Sequence, residues 1–135
     1  MEVNDQFRVN HSKLIEQYQL IEFHLEGLFA IMQDNGTNFE ELAKRVENDA
    51  MGELIRKVKF LSVKLNFENI LNKELFNALY KIRDDRNYYC HENYLIDKND
   101  SYKVNRKTTI EQDLNYVTNV NKELKEAFIK IKKFK

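Results

Sequence analysis

The chain has 135 residues, of which 42% are apolar and 33% are charged, and its 22 basic residues equal its 22 acidic residues. This length suits a single domain, residues 1–135, and the balanced charge excludes the strong overall field that attracts nucleic acids. Pro is absent and Gly occurs three times, a composition that favours long helices over sheets. We therefore predict an all-α fold, an up-and-down bundle of four or five helices.

The sequence carries neither a disulfide framework nor a membrane segment. Its single cysteine, Cys90, has no second cysteine to pair with and fits a reducing cytoplasm. Residues 1–10 lack the apolar stretch of a signal peptide, and nowhere do eighteen apolar residues run together. We expect a cytoplasmic protein that does not associate with membranes.

The first predicted helix covers residues 10–33, and Gly36 is suited to the turn that follows it. His24 lies off its apolar seam and His11 lies near its start, and each is interpreted as a surface or half-buried side chain. Neither histidine has an acid or a cysteine at ligand spacing, and no metal site is predicted. The seam alternates four- and three-residue steps, typical of a bundle helix, through Leu14, Tyr18, Ile21, Leu25, Leu28 and Met32.

The second helical stretch keeps its apolar period from Phe39 to Leu65, which indicates continuity. Asp49 and Gly52 lower the local helix propensity, so a break into two helices near Asp49 remains as good a prediction as a straight rod. Basic residues are dense in its second half, where they form a solvated face or, if the patch adjoins Arg86, a track for RNA. These residues are Arg56, Lys57, Lys59 and Lys64.

A third helix is predicted over residues 73–94, with Asn72 as its cap. Its apolar stripe would place Arg86 one turn beyond Ile82. An isolated buried charge is costly, so the helix either ends its core contact there or buries Arg86 against a partner. A second, polar stripe runs beside it through Arg83, Asn87, Cys90, His91 and Tyr94.

Residues 97–108 are polar and basic, and they predict a loop that either closes over bound RNA or is an ordinary connector. A capping box from Thr108 to Glu111 then opens the last helix. Asn121 interrupts the core seam of that helix. The seam comprises Ile110, Leu114, Val117, Leu124, Phe128 and Ile131.

The stretch Arg86-Asn87-Tyr88-Tyr89-Cys90-His91 resembles the Arg-polar-x-x-x-His signature of HEPN domains. These helical proteins include toxins of bacterial toxin-antitoxin pairs, abortive-infection proteins and effector domains of RNA-targeting defence systems. The resemblance implies a metal-independent endoribonuclease, a hydrolase without cofactors. Its active site would form at the interface of a homodimer, and a bacterial toxin or phage-defence effector is the expected role.

The resemblance also implies roles for particular residues. Arg86 would stabilise charge on the phosphate, His91 would be the general acid or base, and Asn87 would orient the substrate or hold His91. Arg83 and Tyr94 are candidates for RNA contacts. The substrate would be RNA and not DNA, because the attacking group is the 2′-hydroxyl.

Partner identity is left open by the residues around the motif. Tyrosines at 88, 89, 94 and 102 look exposed and favour a dimer interface. In HEPN toxins paired with a nucleotidyltransferase-type antitoxin, a tyrosine stands two residues after the histidine, whereas here Tyr94 follows His91 by three. A partner of that type, with Tyr94 as its modification site, therefore stays an open expectation. The alternative hypothesis is a non-catalytic dimeric module in which Arg86 and His91 bind an acidic partner or fix the interface.

Overall fold

In the computed structural model, residues 2–33, 39–91 and 109–134 are described, and they form five helices and no strand. The all-α prediction is confirmed for this part of the chain. In chain order the helices are α1 (Glu2–Gln33), α2 (Phe39–Val46), α3 (Met51–Lys64), α4 (Lys73–His91) and α5 (Ile110–Phe134).

Helix α1 is the centre of the fold, because it packs against each of the other four helices. The six seam residues from Leu14 to Met32 are all buried, as predicted. The helix begins at Glu2 and not near Asn10, because the seam continues back by one heptad to Phe7, which is buried too. The polar residues around Phe7 concealed this extension in the sequence.

The second helical stretch is broken, which decides between the two predicted alternatives. Helix α2 ends at Val46, and α3 begins at Met51 after Ala50, whose extended backbone (φ −66°, ψ 155°) precedes the first helical residue. Asp49 lies in the break and accepts a hydrogen bond from Lys57 Nζ at 2.6 Å. The low helix propensity around Asp49 outweighed the continuous apolar period.

The connection between α3 and α4 is defined by a cap at each end. Asn66 has a positive φ of 64°, and the N–H of Phe67 donates to the carbonyl of Ser62 at 2.8 Å, the pattern of a Schellman motif. At the start of α4, the side-chain Oδ1 of Asn72 accepts the N–H of Leu75 at 2.9 Å. The predicted cap at Asn72 is confirmed.

The capping box of α5 exists but lies one residue later than predicted. Thr109 Oγ1 accepts the N–H of Gln112 at 3.2 Å, and Gln112 Oε1 accepts the N–H of Thr109 at 2.9 Å. The prediction of Thr108 with Glu111 was wrong, because Thr and Glu or Gln stand three residues apart in both registers and either pair satisfies the pattern. Thr108 itself lies outside the described residues.

Helix α5 packs mainly along α1, and its side chains complete a single core cluster to which all five helices contribute. Ile110, Val117, Leu124 and Ile131 are buried, as predicted, while Leu114 and Phe128 are half-buried. Over the part of the chain that the structure describes, no helix is both long enough and apolar enough to cross a bilayer.

Candidate active site

The HEPN-like motif occupies the C-terminal end of α4, whose backbone is helical through His91. Arg86 and His91 are therefore separated by about 7.5 Å along the helix axis and about 140° around it. Asn87 is exposed. The side chain of His91, the residue Tyr94 and the loop 97–108 lie outside the described set.

Arg86 is half-buried, with 31% of its side chain exposed, and its Nη2 lies 3.7 Å from Glu22 Oε2 of α1. This distance is an ion pair without a hydrogen bond. The core contact of α4 does not end at this position, because Ile82 before it and Tyr89 after it are both fully buried. From the sequence, either α4 ends its contact with the core at Arg86 or Arg86 is buried against a partner. The structure has the second arrangement, with Glu22 as the partner.

Tyr89 is the residue through which the motif is attached to the core. Its side chain is 0% exposed, and its Oη donates to Asp113 Oδ2 of α5 at 2.6 Å. The Nε2 of His11, half-buried as predicted, lies 3.2 Å from the Tyr89 carbonyl. A carbonyl only accepts hydrogen bonds, so Nε2 carries the proton there. Helices α1 and α5 therefore both form hydrogen bonds with this turn of α4.

The burial of Tyr89 corrects one sequence interpretation. The sequence pattern predicts Tyr89 as one of the exposed aromatic residues of a dimer interface, whereas its hydroxyl and ring are buried within its own chain. The spacing from Ile82 to Tyr89 is seven residues, so the apolar seam continues through the motif in spite of Arg86. Tyr94 and Tyr102 lie outside the described residues.

Arg83 faces α3, whereas Arg86 faces α1. The Cζ of Arg83 lies 5.1 Å from the ring centroid of Tyr80. The Nε and Nη2 of Arg83 donate to Asp84 Oδ1 at 3.1 and 3.0 Å. Its side chain crosses Gly52, where an added Cβ would stand 3.1 Å from Arg83 Cδ. Arg83 of the predicted polar stripe and Arg86 beside it therefore lie against different helices.

Glu22, the partner of Arg86, belongs to an acidic group. It comprises Glu22, Glu26, Glu47 and Asp49, drawn from α1 and the break before α3. Loss of hydration, and then repulsion by Glu22, Glu47 and Asp49, raise the pKa of the Glu26 carboxyl. Any anionic ligand of Arg86 has to compete with Glu22 for the guanidinium.

A second buried polar cluster explains the interruption of the α5 seam by Asn121, which is 5% exposed. Asn121 Nδ2 donates to the backbone O of Gln17 at 3.0 Å and to its Oε1 at 2.8 Å. Asn121 Oδ1 lies 2.9 Å from His24 Nδ1. Because both Gln17 atoms are acceptors, the amide orientation is fixed, and Oδ1 accepts the proton of His24 Nδ1.

Sequence reasoning missed Glu22, Asp113 and the partner of His11. The only signal for Asp113 was its place three residues after Ile110, on the core side of α5. Within the described ranges, no group of three or more His, Cys, Asp and Glu side chains is arranged to hold a metal ion.

Comparison of this chain with models of protein families, with curated proteins and with solved structures finds no match. A functional assignment therefore depends on the residues of α4 and on their surroundings in the fold.

Proposed function

We propose that this protein is a metal-independent endoribonuclease of the HEPN type, with a HEPN-like up-and-down bundle as its scaffold. The observation that supports it best is the position of Arg86, which is one-third exposed and has only a 3.7 Å contact with Glu22. Exposed Asn87 follows it, and α4 ends at His91. An arginine held this loosely remains able to meet a phosphate.

The chemistry needs only these side chains and the RNA. The 2′-hydroxyl attacks the adjacent phosphorus, and His91 takes its proton as general base. Arg86 donates two N–H groups to the phosphate oxygens, where negative charge develops. The bond between phosphorus and the 5′-oxygen breaks, and the leaving 5′-oxygen takes a proton from water, so the products are a 2′,3′-cyclic phosphate and a 5′-hydroxyl. Asn87 orients the substrate, and no cofactor takes part.

We infer a two-fold dimer as the arrangement that brings Arg86 and His91 together; the alternative is that the long side chain of Arg86 reaches His91 within one protomer. Within one helix, about 140° separates Arg86 from His91, and Arg86 is directed towards α1. When two α4 ends meet across a symmetry axis, Arg86 of one protomer acts beside His91 of the partner subunit. The cellular role that accompanies this proposal is a cytoplasmic toxin or phage-defence effector, with a nucleotidyltransferase-type antitoxin as a possible partner.

The proposal is tested by incubating the purified protein with total RNA in EDTA. We expect cleavage by the wild type and none by His91→Ala, with unchanged helical circular dichroism. Wild-type cleavage by His91→Ala refutes the assignment.

Mixing inactive Arg86→Ala with inactive His91→Ala tests the shared site. Exchange of subunits creates dimers with one intact pair, so cleavage returns in part. If subunits exchange and no cleavage returns, Arg86 and His91 do not act across the interface. A strict monomer in light scattering contradicts the dimer.

A non-catalytic interaction module is the second candidate, and the contact between Arg86 and Glu22 favours it. In that case Arg86 serves to join α4 to α1 through Glu22. The RNA experiment separates the two candidates. An acidic protein that copurifies, together with no cleavage in EDTA, supports the module.

A further inference from the structure

We propose that the outer surface of α3 is a binding track for single-stranded RNA that leads to the end of α4. The track consists of Arg56, Lys57, Lys59, Phe60, Val63 and Lys64, and we call it the α3 track. The inference rests on the proposed function, because it names the surface that would hold the substrate outside the active site.

The helical period of α3 separates this surface from the core. Met51, Leu54, Ile55, Val58 and Leu61 are buried on one side. The α3 track lies on the other side and carries four cations and two exposed apolar residues. The sequence left open whether these cations are a solvated face or an RNA track, and their neighbours in the fold favour the track.

Phe60 is the first reason. Its side chain is 66% exposed, so the ring is not part of the core. Lys64 Nζ lies 6.0 Å from the ring centroid. An exposed aromatic ring beside an ammonium group is the element that single-stranded nucleic acids use, the ring for base stacking and the cation for phosphate.

A groove beside Phe60 is the second reason. It has a volume of about 410 Å³ and lies between α1 and α3, with Phe29 and Leu61 as apolar walls. Arg56 and Lys64 line it as well, so apolar surface and positive charge alternate within it. A planar, anionic ligand complements both.

The charges available on the track are those of Arg56, Lys59 and Lys64. Lys57 is engaged by Asp49 at 2.6 Å. Arg56 lies 3.8 Å from Glu53, and both side chains are largely exposed, so solvent weakens this pair and a phosphate can displace it.

Continuity with α4 is the third reason. Arg56, Phe60 and Lys64 follow one another at four-residue steps on the exposed side of α3 over about 12 Å. Gly52, which is buried, precedes Arg56 by four residues. Arg83 packs over Gly52. Arg86 follows Arg83 by about one helical turn on α4 and contacts Glu22 of α1.

Tyr80 links the two helices a second time. Its ring has Lys59 Nζ at 5.9 Å and Arg83 Cζ at 5.1 Å from the centroid. Cations of both helices, Lys59 and Arg83, thus meet at Tyr80, and Arg83 is also paired with Asp84 at 3.0 Å. This arrangement favours a chain of phosphates over a single anion.

Unstacked bases are the ligand that Phe60 selects, because a duplex hides its base faces. The probe is a fluorescent 2′-O-methyl oligonucleotide of a length within roughly 4–16 nucleotides. It lacks the nucleophilic hydroxyl, so its binding is measured by anisotropy without cleavage. We expect Phe60→Ala to weaken binding by roughly 5- to 150-fold. Arg56→Gln and Lys64→Gln should each lower the salt slope by about 0.7.

Phe23→Ala is the matched control, because Phe23 on α1 is also 66% exposed and lies far along the sequence from the α3 track. We expect unchanged affinity in this variant. Since Phe23 and Phe60 are both at the surface, both proteins should keep the wild-type circular dichroism and melting temperature.

Four outcomes overturn the inference. They are no binding of the oligonucleotide, unchanged binding in Phe60→Ala and Lys64→Gln, an equal loss in Phe23→Ala, and preference for anionic phospholipid vesicles over the oligonucleotide. Cleavage with unchanged binding in the α3 variants refutes the track and leaves the ribonuclease proposal intact. Binding that depends on Phe60, with no cleavage of unmodified RNA, supports the track and refutes the ribonuclease.

Discussion

Tyr89 and Asp113 are joined by a buried hydrogen bond of 2.6 Å from Oη to Oδ2. Tyr89 is the fourth residue of the HEPN-like motif, and Asp113 lies in the first turn of α5. The bond attaches the motif to α5, and its two residues are 24 positions apart in the chain. A hydrogen bond to a carboxylate is stronger than one between neutral groups, so this contact fixes the position of α4 relative to α5.

Tyr89→Phe should lower the free energy of unfolding by about 1–3 kcal/mol. The ring still fills its site, but Asp113 loses a buried donor and keeps the cost of its desolvation. Urea unfolding followed by circular dichroism measures the change. Tyr80→Phe, in the same helix, is the control and should be nearly neutral, because Tyr80 is only half-buried and its cation contacts use the ring.

A double-mutant cycle separates this bond from ring packing. Tyr89→Phe combined with Asp113→Ala should cost less than the sum of the two single changes, because either change removes the same bond. Additive costs contradict a direct coupling of Tyr89 with Asp113.

Arg86→Lys should reduce ribonuclease activity well below that of the wild type, while stability changes by less than about 1 kcal/mol. Lysine keeps the charge but lacks the planar fork that meets two phosphate oxygens. The measurement is cleavage of a labelled RNA in EDTA, together with thermal unfolding.

Glu22→Gln is the matched control for this experiment, because it removes the contact of Arg86 with α1 and leaves the guanidinium in place. If Arg86 acts on phosphate, Glu22→Gln keeps or raises activity. If Arg86 serves only to pair with Glu22, Glu22→Gln should lower activity at least as much as Arg86→Lys, because lysine still pairs with Glu22. That result contradicts the catalytic role.

Asn121→Ala should destabilise the protein by about 1–3 kcal/mol. The change leaves His24 and the backbone carbonyl of Gln17 without their partner at a half-buried site, and it opens space in the α5 seam. Asn119→Ala, exposed on the same helix, is the comparison and should stay within about 0.5 kcal/mol of the wild type. Chemical denaturation of both proteins gives the difference.

Glu26→Gln should make the protein more stable at pH 7. The pKa of Glu26 is raised in the fold, so the folded state binds this proton more tightly than the unfolded chain. Stability from Glu26 is therefore lost as pH rises from its unfolded pKa of about 4.5 through its folded pKa.

The advantage of Glu26→Gln should vanish below about pH 4, where Glu26 is protonated in both states. Melting temperatures recorded across this range, with Glu126→Gln on the exposed surface of α5 as control, test the prediction. An equal gain at all pH values shows that the charge of Glu26 is not the cause.

Gly27→Ala should stabilise the protein by about 0.5–1 kcal/mol, because alanine is the better helix former in the middle of α1. The new Cβ would lie 3.6 Å from Phe128, an ordinary contact. Gly52→Ala should gain less, since its Cβ meets Arg83 Cδ at 3.1 Å. The melting temperatures of the two variants give the comparison, and an equal gain in both contradicts the crowding of Arg83 against Gly52.

The sequence by itself determined the helices and most of their cores. Periodic apolar steps predicted the buried seams of α1 and α5, and Asn72 was recognised as a cap. These features are local, because a helix repeats every 3.6 residues and a cap bonds within one turn. At the capping box of α5, two pairs of residues fit the sequence pattern equally well, and the predicted cap was one residue too early.

Only the tertiary structure decided what surrounds the motif. Glu22 beside Arg86 and Asp113 beside Tyr89 come from other helices, 64 and 24 residues away in sequence. Periodicity places a side chain on a face of its own helix but does not say which helix covers that face. Tyr89 thus looked exposed in the sequence and is buried in the fold, because α5 brings a carboxylate to its hydroxyl.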